Sequence, residues 1–138
     1  MKSGVEKRVR APRGFHFKIV EYSNKQYPNN DHTRVSLRNS KDPEREIGHV
    51  MLYKQKRRRQ IYWETHSNLN QEYHGKGLGA TMYAKAIQWC LDNGYKVRSS
   101  GASSDMAKRV WNGQKIRQFF SIRKRTTSWG GQTWFAFR

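Results

Sequence analysis

Gln71-Glu72-Tyr73-His74-Gly75-Lys76-Gly77-Leu78-Gly79-Ala80 divides an apolar, strand-like run from a long helical one. Glycines at every second position let the backbone turn without side chains and leave its N–H groups bare. The helix that follows adds unpaired N–H groups of its own and the positive end of its dipole. A turn of this kind is a place to hold a phosphate or pyrophosphate. Downstream, Leu78, Met82, Ala86 and Cys90 recur at i+4, with Tyr83, Ile87 and Leu91 widening the apolar face and Thr81, Lys85, Gln88 and Asp92 as the polar stripe. This spacing predicts a helix over residues 78–93, stopped by Asn93-Gly94.

Upstream, period-two alternation and β-branched or aromatic residues predict strands at 15–22, 33–38, 47–53 and 61–67. The polar stretch 23–32 reads as a loop too short for two helices, and the basic run 54–60 joins the last two strands as a hairpin. Beyond the long helix come a strand at 96–100 and a second helix, capped by Ser103 or Ser104, running to about residue 114. A closing hairpin, 119–124 with 133–137, surrounds Gly130-Gly131. The strand–helix–strand unit at 61–100 implies a right-handed crossover between parallel or splayed strands.

A chain of 138 residues is long enough for one core, and its 13% aromatic content argues against disorder even though only 35% is hydrophobic. The net charge is +18, from 28 Lys and Arg against 10 Asp and Glu. An excess of that size points to an anionic partner, nucleic acid first and a membrane or acidic protein after it. The charge is clustered. Residues 1–14 form a flexible basic arm, with Lys2, Lys7, Arg8, Arg10 and Arg13, ahead of a single domain at 15–138. Lys54, Lys56, Arg57, Arg58 and Arg59 crowd the hairpin tip, and Arg123, Lys124 and Arg125 lie on the closing hairpin, with Trp129 and Trp134 beside the Gly130-Gly131 turn for base stacking or core packing. These eight cations are the candidate nucleic-acid-binding residues. One cysteine excludes an intrachain disulfide, no Cys/His spacing suggests a metal, and no apolar run suggests a leader or a membrane span. The expectation is a soluble, cytoplasmic protein without a membrane partner.

Residues 61–112 together resemble the GNAT-type N-acetyltransferase superfamily, whose pyrophosphate signature is [QR]-x-x-G-x-[GA]. His74-Gly75-Lys76-Gly77-Leu78-Gly79 aligns with it, and Ser104-x-x-Ala107-x-x-x-Trp111 resembles the family's N-x-x-A-x-x-x-Y. The resemblance implies an α/β (α+β) fold: a mixed sheet of six to seven strands with two principal helices, the first helical pair being shortened or missing. It implies acetyl-CoA or CoA as cofactor. The cofactor-binding residues would be Leu69, His74, Gly75, Lys76, Gly77, Leu78, Gly79, Ala80, Ser104, Lys108 and Trp111. The pyrophosphate would rest on the amides of about 75–80 and the pantetheine arm along the end of the 61–69 strand. Glu64, in mid-strand, is the candidate general base or else an arginine's partner. His66 shares its face and is the rival base, because free imidazole titrates near neutrality; His49 is a weaker one.

Two features depart most from the family pattern, and His74 in place of Gln or Arg is a smaller departure that removes one guaranteed charge. Trp111 stands where the family commonly has a tyrosine as general acid, and an indole N–H cannot fill that role. The shortened first connection would leave the acceptor groove open, as suits a large anionic acceptor. Two readings follow. One is an acetyl-CoA-dependent N-acetyltransferase acting on a nucleic acid, a tRNA or a nucleic-acid-associated protein, with phage DNA-modifying enzymes and tRNA-acetylating toxins as family precedents. The other is a non-catalytic module that binds nucleic acid, or inhibits a nucleic-acid machine, through its basic surface.

Overall fold

The computed structural model describes residues 8–23, 25–26, 30–100, 104–126 and 130–138, without the side chain of Arg57. The elements are β1 Phe15–Tyr22, β2 His32–Asn39, β3 Asp42–Arg57, β4 Gln60–Leu69, α1 Leu78–Asp92, β5 Lys96–Ser99, α2 Asp105–Asn112, α3 Gln114–Arg117, β6 Ser121–Thr126 and β7 Gln132–Phe137. They build one seven-stranded mixed sheet in the order β1-β2-β3-β4-β5-β7-β6, within the six to seven strands that the resemblance implies. Every neighbouring pair is antiparallel except β4 with β5, which α1 connects as a crossover. No described helix is long and apolar enough to cross a membrane.

The long helix forms where its apolar spacing places it, and the core collects beneath it. Val35, Leu37, Val50 and Leu52 from the sheet meet Met82, Ala86, Ile87 and Cys90 from α1, all fully buried. The polar stripe is partly covered too, because α2 and α3 pack against α1 as well. Thr81 and Gln88 are buried, and Thr81 returns its hydroxyl to the Gly77 carbonyl at 3.1 Å. Burial pushes the Cys90 thiol well above its ordinary pKa, so it is an inert core group. Trp134 is also core: its indole donates to Asn112 at 3.1 Å and is not available for stacking on a base. Trp129 and Ser103 lie outside the described residues.

Three boundaries differ from the sequence reading. β3 begins at Asp42 rather than 47, because Lys41 N–H bonds the Asn39 side chain and turns the chain at once into a strand. Pro43 is tolerated there since the β2–β3 register is irregular at Arg38, where the ladder does not need its missing N–H. The basic hairpin is not a loop: Lys54, Lys56 and Arg57 are paired within β3, and only Arg58 and Arg59 form the turn. Part of the expected arm is tied to the fold. Val9 is buried in the core and Arg8 grips Asp92 through two hydrogen bonds of 3.2 and 2.8 Å; residues 1–7 lie outside the described residues. Arg138 joins the same carboxylate at 2.7 Å, and these guanidinium hydrogen bonds hold the Asp92 pKa below its ordinary value.

Gly48 is where β3 comes closest to the end of β4 and to α1. A Cβ there would sit 2.7 Å from Leu69 Cδ1, 2.9 Å from the Asn68 carbonyl and 2.9 Å from Met82 Sδ. The backbone oxygen cannot step aside as a flexible side chain can. Gly48→Ala is therefore expected to destabilise the fold by about 1–3 kcal/mol, read as a drop of several degrees in the melting midpoint by circular dichroism. An unchanged midpoint would show that β3 and β4 are free to separate.

Candidate active site

Parallel pairing of β4 with β5 covers only Tyr62–Thr65 against Lys96–Ser99. β5 then ends, whereas β4 runs on to Leu69. Past Thr65 the backbone of β4 is paired with β3 on one side, and among the described residues no strand pairs with its other edge, which leaves a gap there. An extended, amide-bearing molecule can complete such an edge as an added strand does.

The glycine turn closes the far end of this edge. Gly75 and Gly77 have φ of 77° and 74°, the left-handed region in which a side chain is strained. Gly79 is helical instead. A Cβ there would make only ordinary contacts, 3.8–4.0 Å from Leu69, Val110 and Met106. Two positions, not three, thus require positive φ. Gly77 is the N-cap of α1 and makes no side-chain cap, so the amides of Leu78, Gly79 and Ala80 have no acceptor within the helix. They open on a cleft of about 510 Å³ lined also by Leu69, His74, Gly75, Arg109 and Lys115. His74 Nε2 donates to the Leu69 carbonyl at 2.8 Å and so ties the turn to the end of β4.

The predicted cofactor residues divide in this geometry. Leu69, His74, Gly75, Gly77, Leu78, Gly79 and Ala80 line the cleft. Lys76 turns away over the Tyr73 ring, 5.8 Å from its centroid, and Lys108 does not line the cleft. The cations that do are Arg109 and Lys115, and Lys115 Nζ donates to the Gly77 carbonyl at 3.1 Å. Arg109 is the next residue along α2 from the predicted Lys108, and Lys115 follows the break at Gly113. Ser104 caps α2 by accepting from Ala107 N–H. Trp111 is fully buried against the Tyr83 ring, with no hydrogen-bond partner for its Nε1, and so is part of the core.

Further back along β4, a smaller cavity of about 140 Å³ lies in the gap, between Thr65, His66, Ser67 of β4, Tyr83 of α1 and Ser100, Ser104 beyond β5. The sequence reading places Tyr83 on the apolar face of the helix and, with Tyr73 and Tyr95, outside the family's tyrosine position. The fold carries its hydroxyl from α1 to the strand edge, where it donates to Ser67 Oγ at 2.6 Å. Burial raises the Tyr83 pKa above the ordinary phenol value, and the Ser67 and Thr65 hydroxyls offset only part of this. Thr65 Oγ1 is buried, close enough to act on the phenol but without completing a hydrogen bond.

Glu64 and His66 stand on the opposite face of β4. Glu64 is buried and ion-paired with Arg98 of β5, and its second oxygen lies 4.0 Å from His66 Nε2. His66 is half exposed and meets Tyr53 edge-on, with ring centroids 5.2 Å apart. His49 is drawn into a separate cluster with Arg34 and Glu46, where burial lowers its pKa below that of free imidazole. Burial would raise the Glu46 carboxyl, but Arg34, at 2.5 and 2.8 Å, together with His49 holds it below its ordinary value. Among the described residues no group of three or more His, Cys, Asp and Glu is arranged to hold a metal ion.

The sequence matches the profile of the Acetyltransferase (GNAT) family over residues 8–109. The chain belongs to this family. No curated protein matches it. Among solved structures it is similar to ribosomal-protein-S5-alanine acetyltransferase from Vibrio fischeri, at 13% identity, TM-score 0.52, and coverage of 81% of this chain and 63% of that one. It is also similar to an aminoglycoside acetyltransferase in complex with coenzyme A, at 16% identity, TM-score 0.54, and coverage of 80% and 68%. A spermidine N-acetyltransferase chimera from Vibrio cholerae and a second enzyme gives 12%, 0.53, 77% and 66%. At these identities the likeness is one of fold, and the chain spans somewhat under two thirds of the first of these structures.

Tyr83 should ionise above the ordinary phenol range. Ultraviolet difference titration of wild type against Tyr83→Phe should remove a step on the alkaline side of that range. Loss of a step in the ordinary phenol range would contradict the burial of its hydroxyl.

Proposed function

We propose that the protein is an acetyl-CoA-dependent N-acetyltransferase with a macromolecular acceptor. The carrying observation is that one strand edge, left open where β4 and β5 part, leads from the catalytic-type cavity at Thr65–Ser67 to the glycine turn beyond Leu69. Acetyl-CoA fits what this edge offers. The helix N-terminal amides, Arg109 and Lys115 suit its pyrophosphate. The free edge of β4 suits the amides of its pantetheine arm, and the unpartnered Thr65 hydroxyl lies at the cavity where that arm would end. When bound, the cofactor supplies an acetyl group activated as a thioester.

This chain's own groups divide the proton work across β4. On the open face, His66 Nε2 accepts the proton of the acceptor amine, and Glu64 stands behind it to balance the charge that arrives. Arg98 fixes the Glu64 carboxylate in that place, so Glu64 is a positioning residue rather than the base. On the helical face, the Tyr83 hydroxyl provides the proton that the departing thiolate needs. Its raised pKa suits an acid that remains protonated at neutral pH, and it stands in for the tyrosine that Trp111 replaces. The short connection between β1 and β2 and the charge of +18 support a large anionic acceptor.

The non-catalytic reading draws on one observation, the Glu64–Arg98 pair, which satisfies that carboxylate without any substrate. Turnover separates the two. Acetyl-CoA is expected to raise the melting midpoint of wild type and not of Gly77→Asp, whose carboxylate would stand beside Lys115 in the phosphate position. With an aminoacyl-tRNA or a nucleic-acid-bound protein as acceptor, thiol release should fall roughly a hundred-fold in His66→Gln and in Tyr83→Phe, with KM for acetyl-CoA little changed. Glu64→Gln should fall less and shift the pH profile. Absence of any thermal shift, with Gly77→Asp behaving as wild type, would refute the cofactor assignment; binding without thiol release would favour the non-catalytic module.

A further inference from the structure

All three described helices lie together on one side of the sheet, where Trp63 meets Trp89 of α1 and Trp134 meets Asn112 of α2. Strand alternation sends Trp63, Val97, Trp134 and Ala136 to that side, and sends Tyr62, Arg98, Phe135 and Phe137 to the other. The second side carries no described helix over β4, β5, β7 and β6. It displays aromatic rings with cations seated on them. Arg98 lies 5.3 Å and Lys96 5.7 Å from the Tyr62 centroid, Arg123 lies 5.3 Å from Phe137, and Arg125 lies 5.7 Å from Phe135. Tyr62 and Phe135 meet edge-on at 5.8 Å. Gln60 accepts from both the Tyr62 hydroxyl and Lys96, which fixes this pair.

Glu64 is the only acidic residue in these four strands, and Arg98 already matches it. Lys96, Arg123 and Arg125 therefore remain as excess positive charge beside half-exposed rings. We propose that this helix-free face binds a single-stranded polynucleotide, its unpaired bases stacked on Tyr62, Phe135 and Phe137 and its phosphates drawn to Arg123, Arg125 and Lys96. Rings can stack only on bases whose faces are free, which selects a single strand over a duplex. The face ends at His66, so a strand lying on it approaches the open side of the cavity proposed for catalysis. In that respect the inference deepens the acceptor side of the proposed function, but the binding itself needs no acetyl-CoA.

The structure also separates two basic clusters that the sequence reading treats as one surface. Lys54 and Lys56 pair with Trp63 and Ile61 and share the helical side. Lys124 pairs with Trp134 and points there too, whereas Arg123 and Arg125 take the open face. An internal control is thus available. Fluorescence anisotropy with labelled oligo(U) and oligo(dT), and with a duplex of equal length, would be measured across a salt series without acetyl-CoA. The single strands should bind more tightly than the duplex. Arg123→Gln with Arg125→Gln should weaken binding at least ten-fold and flatten the salt slope by about 1.4, two phosphate contacts at ~0.7 each. Phe137→Leu, at an exposed position, should weaken it roughly five-fold or more with the slope unchanged. Lys54→Gln with Lys56→Gln should change it less than two-fold.

Equal loss from the Lys54/Lys56 pair, duplex binding as tight as single-strand binding, or no binding at all would overturn the proposal. So would a sedimentation profile showing a stable dimer that Phe137→Leu dissolves, since a second copy would then cover the face. Each variant is checked for an unchanged melting curve. Failure here leaves the acetyl-CoA thermal shift untouched, and failure of that shift leaves this measurement untouched.

Discussion

The parting of β4 from β5 after Thr65 and Ser99 is the constraint on which the rest of the site depends. A parallel pair that stayed zipped would satisfy the β4 edge with protein and leave no linear groove. Because β5 ends early, the edge groups of β4 remain for something else, and every functional feature is arranged along them. The glycine turn lies at one end, the Tyr83 and Thr65 hydroxyls in the middle, and Glu64 and His66 on the reverse face. α1 serves both ends: its N-terminus supplies unpaired amides at Gly77–Ala80, and one turn later it delivers Tyr83 to the strand edge.

The elements that were legible in the sequence are those whose signals are local. The i+4 recurrence from Leu78 to Cys90, the Ser104 cap and the alternation at 15–22 each specify a short piece of backbone, and all reappear in the structure. So does the glycine turn, since two of its glycines occupy φ values open to few other residues. What was not legible depends on contacts between distant segments. Gly48 looks ordinary until Leu69 and Met82 close on it from two other elements. Lys115 is one cation among many until α3 folds back against the turn. Tyr83 reads as apolar helix surface because no spacing rule reveals that Ser67 waits for its hydroxyl. The charge runs misled for a related reason. Consecutive residues of a strand point to opposite faces, so Arg123-Lys124-Arg125 is continuous in sequence and divided in space.

Burial sets a hierarchy among the titratable groups that composition alone would not give. Cys90 is sealed in the core, His49 is held with Arg34 and Glu46, and Asp92 is gripped by two arginines. With these groups committed to packing or ion pairing, the half-exposed imidazole of His66 is left facing the gap. The sheet thereby acts as a partition, with the Tyr83 and Thr65 hydroxyls on its helical side and the His66 imidazole on the other.

Asp92 has one more effect. It draws Arg8 and Arg138 to a single carboxylate, at the C-terminal end of α1. The helix runs 15 residues from the glycine turn, a rise of about 22 Å. Arg8 and Arg138 therefore lie at the same corner of the fold, at the opposite end of α1 from the glycine turn. Residue 8 and residue 138 thus share one carboxylate, so a group attached after residue 138 starts from the end of α1 opposite the mouth of the cleft.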